Sequence, residues 1–155
     1  MKNIKLAAET INNQDYKLMI DFLKKRKYLN QSKVTEKFQN NFSRYLKLNH
    51  SVFVNSGSSA NLLALASLEL KKGSEVITPT LTFSTTVAPL YQLGLTPHFI
   101  DVGKNNFIAN IDQIKKAINS KTKAIIIPNL LGNVPDWKKI KNISKKYNLK
   151  IIEDS

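Results

Sequence analysis

The residues best able to do chemistry in this sequence form a turn of small side chains, Asn55–Ala60, in which Gly57 precedes Ser58 and Ser59. A strand-like run precedes the turn and a helical pattern follows it. We therefore expect the N–H groups of Ser58, Ser59 and Ala60 at the positive end of a helix, where phosphate groups bind. The turn is neither a Walker A loop nor a GxGxxG dinucleotide turn. Its residues suit a phosphate cradle and a serine-capped helix start equally well.

Two further residues could complete a ligand site. Asp154 follows the apolar run Lys150–Glu153 and could hold a cationic nitrogen, although a helix cap is the commoner role for such a residue. Phe83 follows a predicted strand and could stack on a planar ring, although phenylalanine is more often a core residue. Together, a phosphate cradle, a stacking aromatic and a strand-end aspartate describe a pyridoxal phosphate pocket. The aspartate there would keep the pyridine nitrogen protonated.

Other catalytic chemistries find little support. The chain has no cysteine, which excludes disulfides, thiolate metal sites and a thiol nucleophile. His50 and His98 lack a partner at metal spacing and are interpreted as structural, so we predict no metal site. Ser56 is not part of a G-x-S-x-G elbow, and Asp101 is predicted to be a turn or cap residue.

The elements that must position these residues alternate between short β-rich runs and helical stretches. Predicted strands are Ser51–Val54, Glu75–Thr78, Thr96–Val102, Lys123–Asn129 and Lys150–Glu153. Predicted helices are Ser58–Leu70, Ser84–Leu93, Ile111–Ile118 and Asp136–Tyr147. The consecutive isoleucines 125–127 indicate burial on both faces of a sheet. The fold class is therefore α/β, a mainly parallel sheet with helices on both faces, whose ligands bind beyond the carboxyl ends of the strands.

The helix starts carry recognisable capping residues. Asn110 with Gln113 is predicted to form a capping box, and Pro135 is predicted to lie in the first turn of the last helix.

Two amphipathic helices precede the α/β part. Their apolar positions recur at helical spacing: Tyr16, Met19, Ile20 and Leu23, then Phe38, Phe42 and Tyr45. Asn30–Ser32 forms a polar break between them. We predict an N-terminal helical segment at residues 1–50 and a partial cofactor-binding α/β domain at residues 51–155.

The net charge of +13 raises the question of nucleic-acid binding. Arg26 and Arg44 are the only arginines, and no aromatic residues are interleaved with the lysines for base stacking. We therefore expect no nucleic-acid partner. No apolar run approaches the roughly 20 residues that cross a bilayer, and the N-terminus lacks a signal-peptide pattern. A cytoplasmic protein without a membrane partner is expected.

The ordered motifs resemble those of the DegT/DnrJ/EryC1/StrS family, sugar aminotransferases of fold type I that use pyridoxal phosphate. Asn55–Leu62 resembles the family's S-G-T-S-A-L turn, Gly73–Pro79 with Thr82 and Phe83 its G-D-E-V-I-x-P…T-F segment, and Ile151–Asp154 its I-E-D motif. Further matches are Pro97–Asp101, Ile111–Asp112 and Lys121–Ile125. Each motif is weak alone, but the ordered set covers essentially the whole chain.

The resemblance implies a role for each candidate residue. The backbone around Gly57, Ser58 and Ser59 would hold the cofactor phosphate, Phe83 would stack on the pyridine ring, and Asp154 would pair with its nitrogen. The family's Schiff-base lysine would lie downstream of Ser155, so no catalytic residue is assigned. The chain would then be the N-terminal fragment of a fold type I large domain. The full-length enzyme is expected to be a homodimer that takes an amino group from an amino-acid donor to a nucleotide-linked keto-sugar in surface polysaccharide biosynthesis.

Some residues depart from the commonest aminotransferase pattern. Ser58 replaces threonine, Asn61 replaces leucine, and Leu130–Asn133 replaces a Y-G-Q motif. These features look more like the branch that contains CDP-4-keto-6-deoxyglucose 3-dehydrase, which uses pyridoxamine phosphate, a histidine in place of the lysine, and an iron–sulfur cluster. A dehydrase of that kind and a non-catalytic cofactor-binding fragment remain alternatives to the aminotransferase.

Overall fold

The computed structural model describes residues 10–25 and 32–155, in two units whose boundary lies between Phe53 and Val54. The first unit contains helices α1 (Asn13–Lys25) and α2 (Lys33–Leu46), which confirms the two predicted amphipathic helices. Ser32 caps α2 by accepting a hydrogen bond from the backbone of Val34, whereas Asn30 and Gln31 of the predicted break lie outside the described residues.

Aromatic rings gather on α2 and the segment that follows it. The rings of Phe38 and Phe42 stack with centroids 5.8 Å apart, and Phe53 meets Phe38 edge-on at 5.2 Å. The hydroxyl of Ser51 donates to the Gln39 carbonyl at 2.6 Å, which ties the end of this unit back to α2.

The second unit is a parallel sheet covered by helices. Its strands are β1 (Glu75–Pro79), β2 (Thr96–Ile100), β3 (Thr122–Pro128) and β4 (Lys150–Asp154). Its α-helices are α3 (Gly57–Ala66), α4 (Ser84–Gln92), α5 (Ile111–Ala117) and α6 (Trp137–Tyr147), and a short 3-10 turn follows β3 at Leu130–Gly132. The order is β2-β1-β3-β4, and all paired strands run parallel. The predicted fold class is confirmed.

The core lies on both sides of the sheet. Ile125 and Ile127 belong to the cluster that includes the inner faces of α5 and α6, whereas Ile126 belongs to the cluster that includes Leu65 of α3 and Leu90 of α4. All three isoleucines are 1% exposed or less. Successive isoleucines thus face opposite sides of the sheet. Because helices cover both sides, the central strand needs an apolar residue at each of these positions.

Three local predictions were wrong. Ser51–Val54 forms no strand, because none of the four strands pairs with it and β-propensity alone does not supply a hydrogen-bonded neighbour. Pro135 lies just outside α6, since Asp136 is the capping residue and accepts from the backbone of Lys139.

The third concerns the start of α5. The Asn110 side chain does cap the helix by accepting from the backbone of Asp112 and Gln113. Gln113 does not reciprocate, because its side-chain oxygen accepts instead from the backbone N–H of Asp101 at 2.6 Å.

Candidate cofactor site

Asp154 is the last residue of β4, and its carboxylate accepts hydrogen bonds from side chains of α3 and α4. Its Oδ2 atom accepts a hydrogen bond from Asn61 Nδ2 at 3.0 Å and another from Thr86 Oγ1 at 2.6 Å. Thr86 is fully buried and Asn61 is 7% exposed, whereas Asp154 is half-buried. Helices α3 and α4 therefore meet the carboxyl end of β4 through one charged group.

This contact brings the start of α3 to the same edge of the sheet as Asp154. Asn61 follows Gly57 by four residues, which corresponds to about 6 Å along a helix axis. The predicted anion cradle and the strand-end carboxylate thus lie at the same edge of the sheet.

The free N–H groups of α3 differ from those expected. Ser56 caps the helix, since its hydroxyl accepts from the backbone N–H of Ser59 at 3.1 Å and its carbonyl accepts from that of Ala60 at 3.0 Å. Of the described residues, none accepts a hydrogen bond from the backbone N–H of Gly57 or Ser58. The backbone N–H groups available to an anion are therefore those of Gly57 and Ser58, whereas the sequence predicted those of Ser58, Ser59 and Ala60.

Hydroxyl groups extend this cradle. The Ser56 hydroxyl donates to Ser59 Oγ at 3.1 Å, which leaves the hydrogen of the Ser59 hydroxyl available for another acceptor. Ser58 and Ser59 also line a cavity of about 230 Å³ between α3 and α4, together with Leu62 and Thr85. Two backbone amides and neighbouring hydroxyls at a positive helix end suit a phosphate group.

Neither backbone strain nor steric crowding within the chain requires glycine at position 57. Its φ angle lies outside the left-handed region, and a Cβ atom built on it would meet nothing within 4 Å. The missing side chain therefore leaves open space next to the Gly57 backbone, which a ligand can approach.

Phe83 is a surface residue. It directly precedes α4 in an extended conformation, and 69% of it is exposed. The backbone N–H of Thr86 donates to the Phe83 carbonyl at 3.0 Å. Phe83 therefore begins the first turn of α4, which contains Thr86, a hydrogen-bond partner of Asp154. The core role that the sequence left open is excluded by this exposure, and a stacking role stays a prediction.

Asn129 anchors the end of β4 and was not among the residues predicted to bind the cofactor. Its backbone N–H donates to the Asp154 carbonyl at 2.8 Å, and its side-chain amide donates to Glu153 at 2.7 Å and to Ser155 at 2.8 Å. Its side-chain oxygen accepts from the indole of Trp137 at 3.1 Å. The available signal was its position directly after a buried strand.

The remaining candidates lie elsewhere. His98 Nδ1 lies 3.1 Å from Glu75 Oε2, and Glu75 also accepts from Asn119 Nδ2 at 2.7 Å. The Asn119 hydrogen bond, followed by that of His98, holds the pKa of Glu75 below its ordinary value. Glu75 begins β1, so this cluster lies at the amino edge of the sheet, opposite Asp154. Asp101 directly follows β2, and its side chain accepts from the backbone N–H of Val102 at 3.1 Å.

Two classes of feature are absent from the parts of the chain that the structure describes. Across residues 10–25 and 32–155, no three His, Asp or Glu side chains come together as metal ligands. Within the same ranges, every helix is too short or too polar to cross a membrane.

Comparison with known proteins decides the family. The model of the DegT/DnrJ/EryC1/StrS aminotransferase family matches residues 9–155. This chain belongs to that family. DegT/DnrJ/EryC1/StrS relatives include the GDP-4-keto-6-deoxy-D-mannose 3-dehydratase of Yersinia pseudotuberculosis, which is 35% identical over 100% of this chain and 41% of its own length. The GDP-perosamine synthase of Escherichia coli O157:H7 is 30% identical over 99% of this chain and 42% of its own length.

The fold agrees with this assignment. The structure of the E. coli GDP-4-keto-6-deoxy-D-mannose 3-dehydratase with bound hydrated pyridoxal phosphate superposes with a TM-score of 0.90 at 33% identity, and covers 99% of this chain and 41% of the other. The chain thus spans about two fifths of the length of these DegT/DnrJ/EryC1/StrS relatives, which are two dehydratases and a synthase.

Proposed function

We propose that this protein binds pyridoxal phosphate or pyridoxamine phosphate between the start of α3 and Asp154, and that it serves the transfer of an amino group to a nucleotide-linked keto-sugar. The observation that carries the proposal is the hydrogen bond from Asn61 to Asp154, because it brings the cradle and the carboxylate to one edge of the sheet. An amino acid would be the donor, and surface polysaccharide biosynthesis in the cytoplasm would be the setting.

The residues present fit the cofactor. The amides of Gly57 and Ser58 have no acceptor within the described chain, so they can receive the phosphate. Asp154 Oδ1 accepts no hydrogen bond from the described residues and is free to receive a pyridinium N–H. The exposed ring of Phe83 offers a stacking face. When bound, the cofactor supplies an electron sink for reactions at the carbon attached to its nitrogen.

The chain's own residues bind and orient. The α3 amides and the Ser59 hydroxyl donate hydrogen bonds to the phosphate, and the Asp154 carboxylate keeps the proton on the ring nitrogen. We assign no lysine of this chain to covalent bonding with the cofactor. The residue that moves the substrate proton and a second subunit that completes the pocket are expected outside this chain.

The first test is cofactor binding. Pyridoxamine phosphate and its analogue with carbon in place of the ring nitrogen are titrated into the protein by calorimetry. We expect tighter binding of pyridoxamine phosphate, and a loss of about tenfold or more in Asp154→Asn for that ligand alone, because a charge-assisted hydrogen bond is removed. A wild-type protein that binds neither ligand would overturn the proposal.

The second test is turnover. The full-length protein is incubated with pyridoxal phosphate, glutamate and GDP-4-keto-6-deoxymannose, because the residue that moves the substrate proton is expected outside these 155 residues. The sugar is then examined by mass spectrometry. Transamination replaces the keto oxygen by an amine and retains the C3 hydroxyl. Loss of the C3 oxygen would replace the proposal by dehydration, and cofactor binding without either product would leave a binding role only.

A further inference from the structure

The two oxygens of the Asp154 carboxylate have different surroundings. Oδ2 accepts from both Asn61 and Thr86, whereas Oδ1 accepts no hydrogen bond from the residues that the structure describes. A carboxylate of this kind only accepts, so Asn61 must present its amide nitrogen and Thr86 must use its single hydroxyl hydrogen. Chemistry therefore fixes which atoms donate, and the geometry directs both donors to Oδ2.

Both donors are held in rigid places. Asn61 lies in the second turn of α3 and is 7% exposed, and Thr86 lies in the first turn of α4 and is fully buried. The backbone of Asp154 is anchored by Asn129 from a third direction. A carboxylate bound from two helices, on a backbone anchored by Asn129, has little freedom to rotate about its side-chain bonds.

We propose that Asn61 and Thr86 are positioning residues that hold Asp154 with Oδ1 directed to the cofactor ring nitrogen. This inference rests on the proposed function, since it concerns the same site. With both donors present, Oδ2 is engaged and Oδ1 is the acceptor that remains. With either donor lost, the carboxylate turns more freely, and the proton shared with the ring nitrogen is held less firmly on the ring.

A purely structural role for the two residues predicts something else. It would lower the stability of the fold and weaken every ligand of the site alike, because α3 and α4 would pack less well. A positioning role weakens only those ligands that carry a ring nitrogen. The two roles are thus separable by the choice of ligand.

The experiment uses Asn61→Leu and Thr86→Val, with Thr86→Ser as the conservative variant that keeps the hydroxyl. Asn142→Leu is the matched control, because Asn142 is an exposed asparagine in α6 on the other side of the sheet. Binding of pyridoxamine phosphate and of the analogue without ring nitrogen is measured for each protein. The ring nitrogen is also labelled with ¹⁵N, so that its chemical shift reports its protonation across pH.

We expect Asn61→Leu and Thr86→Val to bind pyridoxamine phosphate about tenfold more weakly and the analogue as well as the wild type does. In both variants, the ¹⁵N signal should move to its unprotonated position at lower pH than in the wild type. Thr86→Ser and Asn142→Leu should match the wild type in both measurements.

Equal losses for both ligands, or an unchanged ¹⁵N titration, would overturn the positioning role. A wild-type protein that binds neither ligand would instead overturn the proposed function. If Asn61→Leu does not fold, Asn61→Ala takes its place, and Thr86→Val against Thr86→Ser carries the same comparison.

Discussion

Thr86 Oγ1 lies 2.6 Å from Asp154 Oδ2, although 68 residues separate them in the sequence. The threonine is fully buried in the first turn of α4, and the aspartate ends the edge strand β4. A short hydrogen bond from a buried hydroxyl to a carboxylate is among the stronger interactions in a protein. It joins α4 to Asp154, the residue that is proposed to bind the ring nitrogen of the cofactor.

Asn61 and Asp154 are expected to act as one unit in cofactor binding. In the wild-type background, Asn61→Leu should weaken pyridoxamine phosphate binding by about 1.4 kcal/mol, which is the tenfold loss stated above, whereas in an Asp154→Asn background it should weaken it by much less. Calorimetry on the four proteins of this cycle gives the coupling free energy directly. Additive losses would show that the two residues act independently.

Gly57→Ala should separate folding from anion binding. Alanine is the better helix former, so the free energy of unfolding should stay unchanged or rise by up to about 1 kcal/mol. The added methyl group should occupy open space next to the Gly57 backbone and weaken phosphate-bearing ligands that approach it there. Thermal melts and titrations with pyridoxamine phosphate check both parts.

The matched control for Gly57 is Gly73, which has a φ of +80° and open space around it. Gly73→Ala should lower the free energy of unfolding by about 1 kcal/mol through backbone strain and leave ligand affinity unchanged. If Gly57→Ala lowered the free energy of unfolding and still bound the ligand as tightly as the wild type does, the argument for a ligand at the start of α3 would fail.

Phe83→Ala should weaken ligands that carry the aromatic ring. Loss of a stacking face costs about 0.5–1.5 kcal/mol, or about two- to tenfold in affinity. Because Phe83 is 69% exposed, the melting temperature should change little. Competition by inorganic phosphate should be the same in wild type and variant, and Phe83→Trp should retain ring binding. A variant that binds the ring as well as wild type does would exclude stacking.

The Glu75 cluster predicts a pH dependence of stability that is independent of the cofactor. Hydrogen bonds from Asn119 and His98 hold the pKa of Glu75 below its ordinary value of 4.5. The folded state therefore favours the charged form, so its stabilising effect is fully present above pH 4.5 and is lost as the pH falls through the lower pKa of the folded state.

Thermal melts of the wild type and Glu75→Gln between about pH 2 and pH 7 check this prediction, because the lowered pKa of Glu75 lies below 4.5. The wild type should be the more stable protein at pH 7, and the difference should shrink below pH 4.5. Cofactor affinity should be the same in both proteins, because Glu75 lies at the opposite edge of the sheet. A constant difference in stability at every pH would contradict the assigned cause.

The fold was largely predictable because its signals are local. The run Ile125–Ile127 indicated a strand buried on both faces, and the predicted helix Asp136–Tyr147 corresponds to α6 within one residue. These patterns depend on side chains within a few residues of each other. Ser51–Val54 shows the limit, because its strand-like composition could not reveal whether a neighbouring strand would pair with it.

The sequence by itself determined which residue types could meet a phosphate, a ring and a cationic nitrogen, and the ordered motifs determined the family. Only the tertiary structure decided how they are arranged. It showed that Ser56 uses the amides of Ser59 and Ala60 and leaves those of Gly57 and Ser58 free. It also brought Asn61 and Asp154, 93 residues apart, within hydrogen-bonding distance. Such contacts follow from the packing of whole helices against a sheet, and no local pattern of residues encodes them.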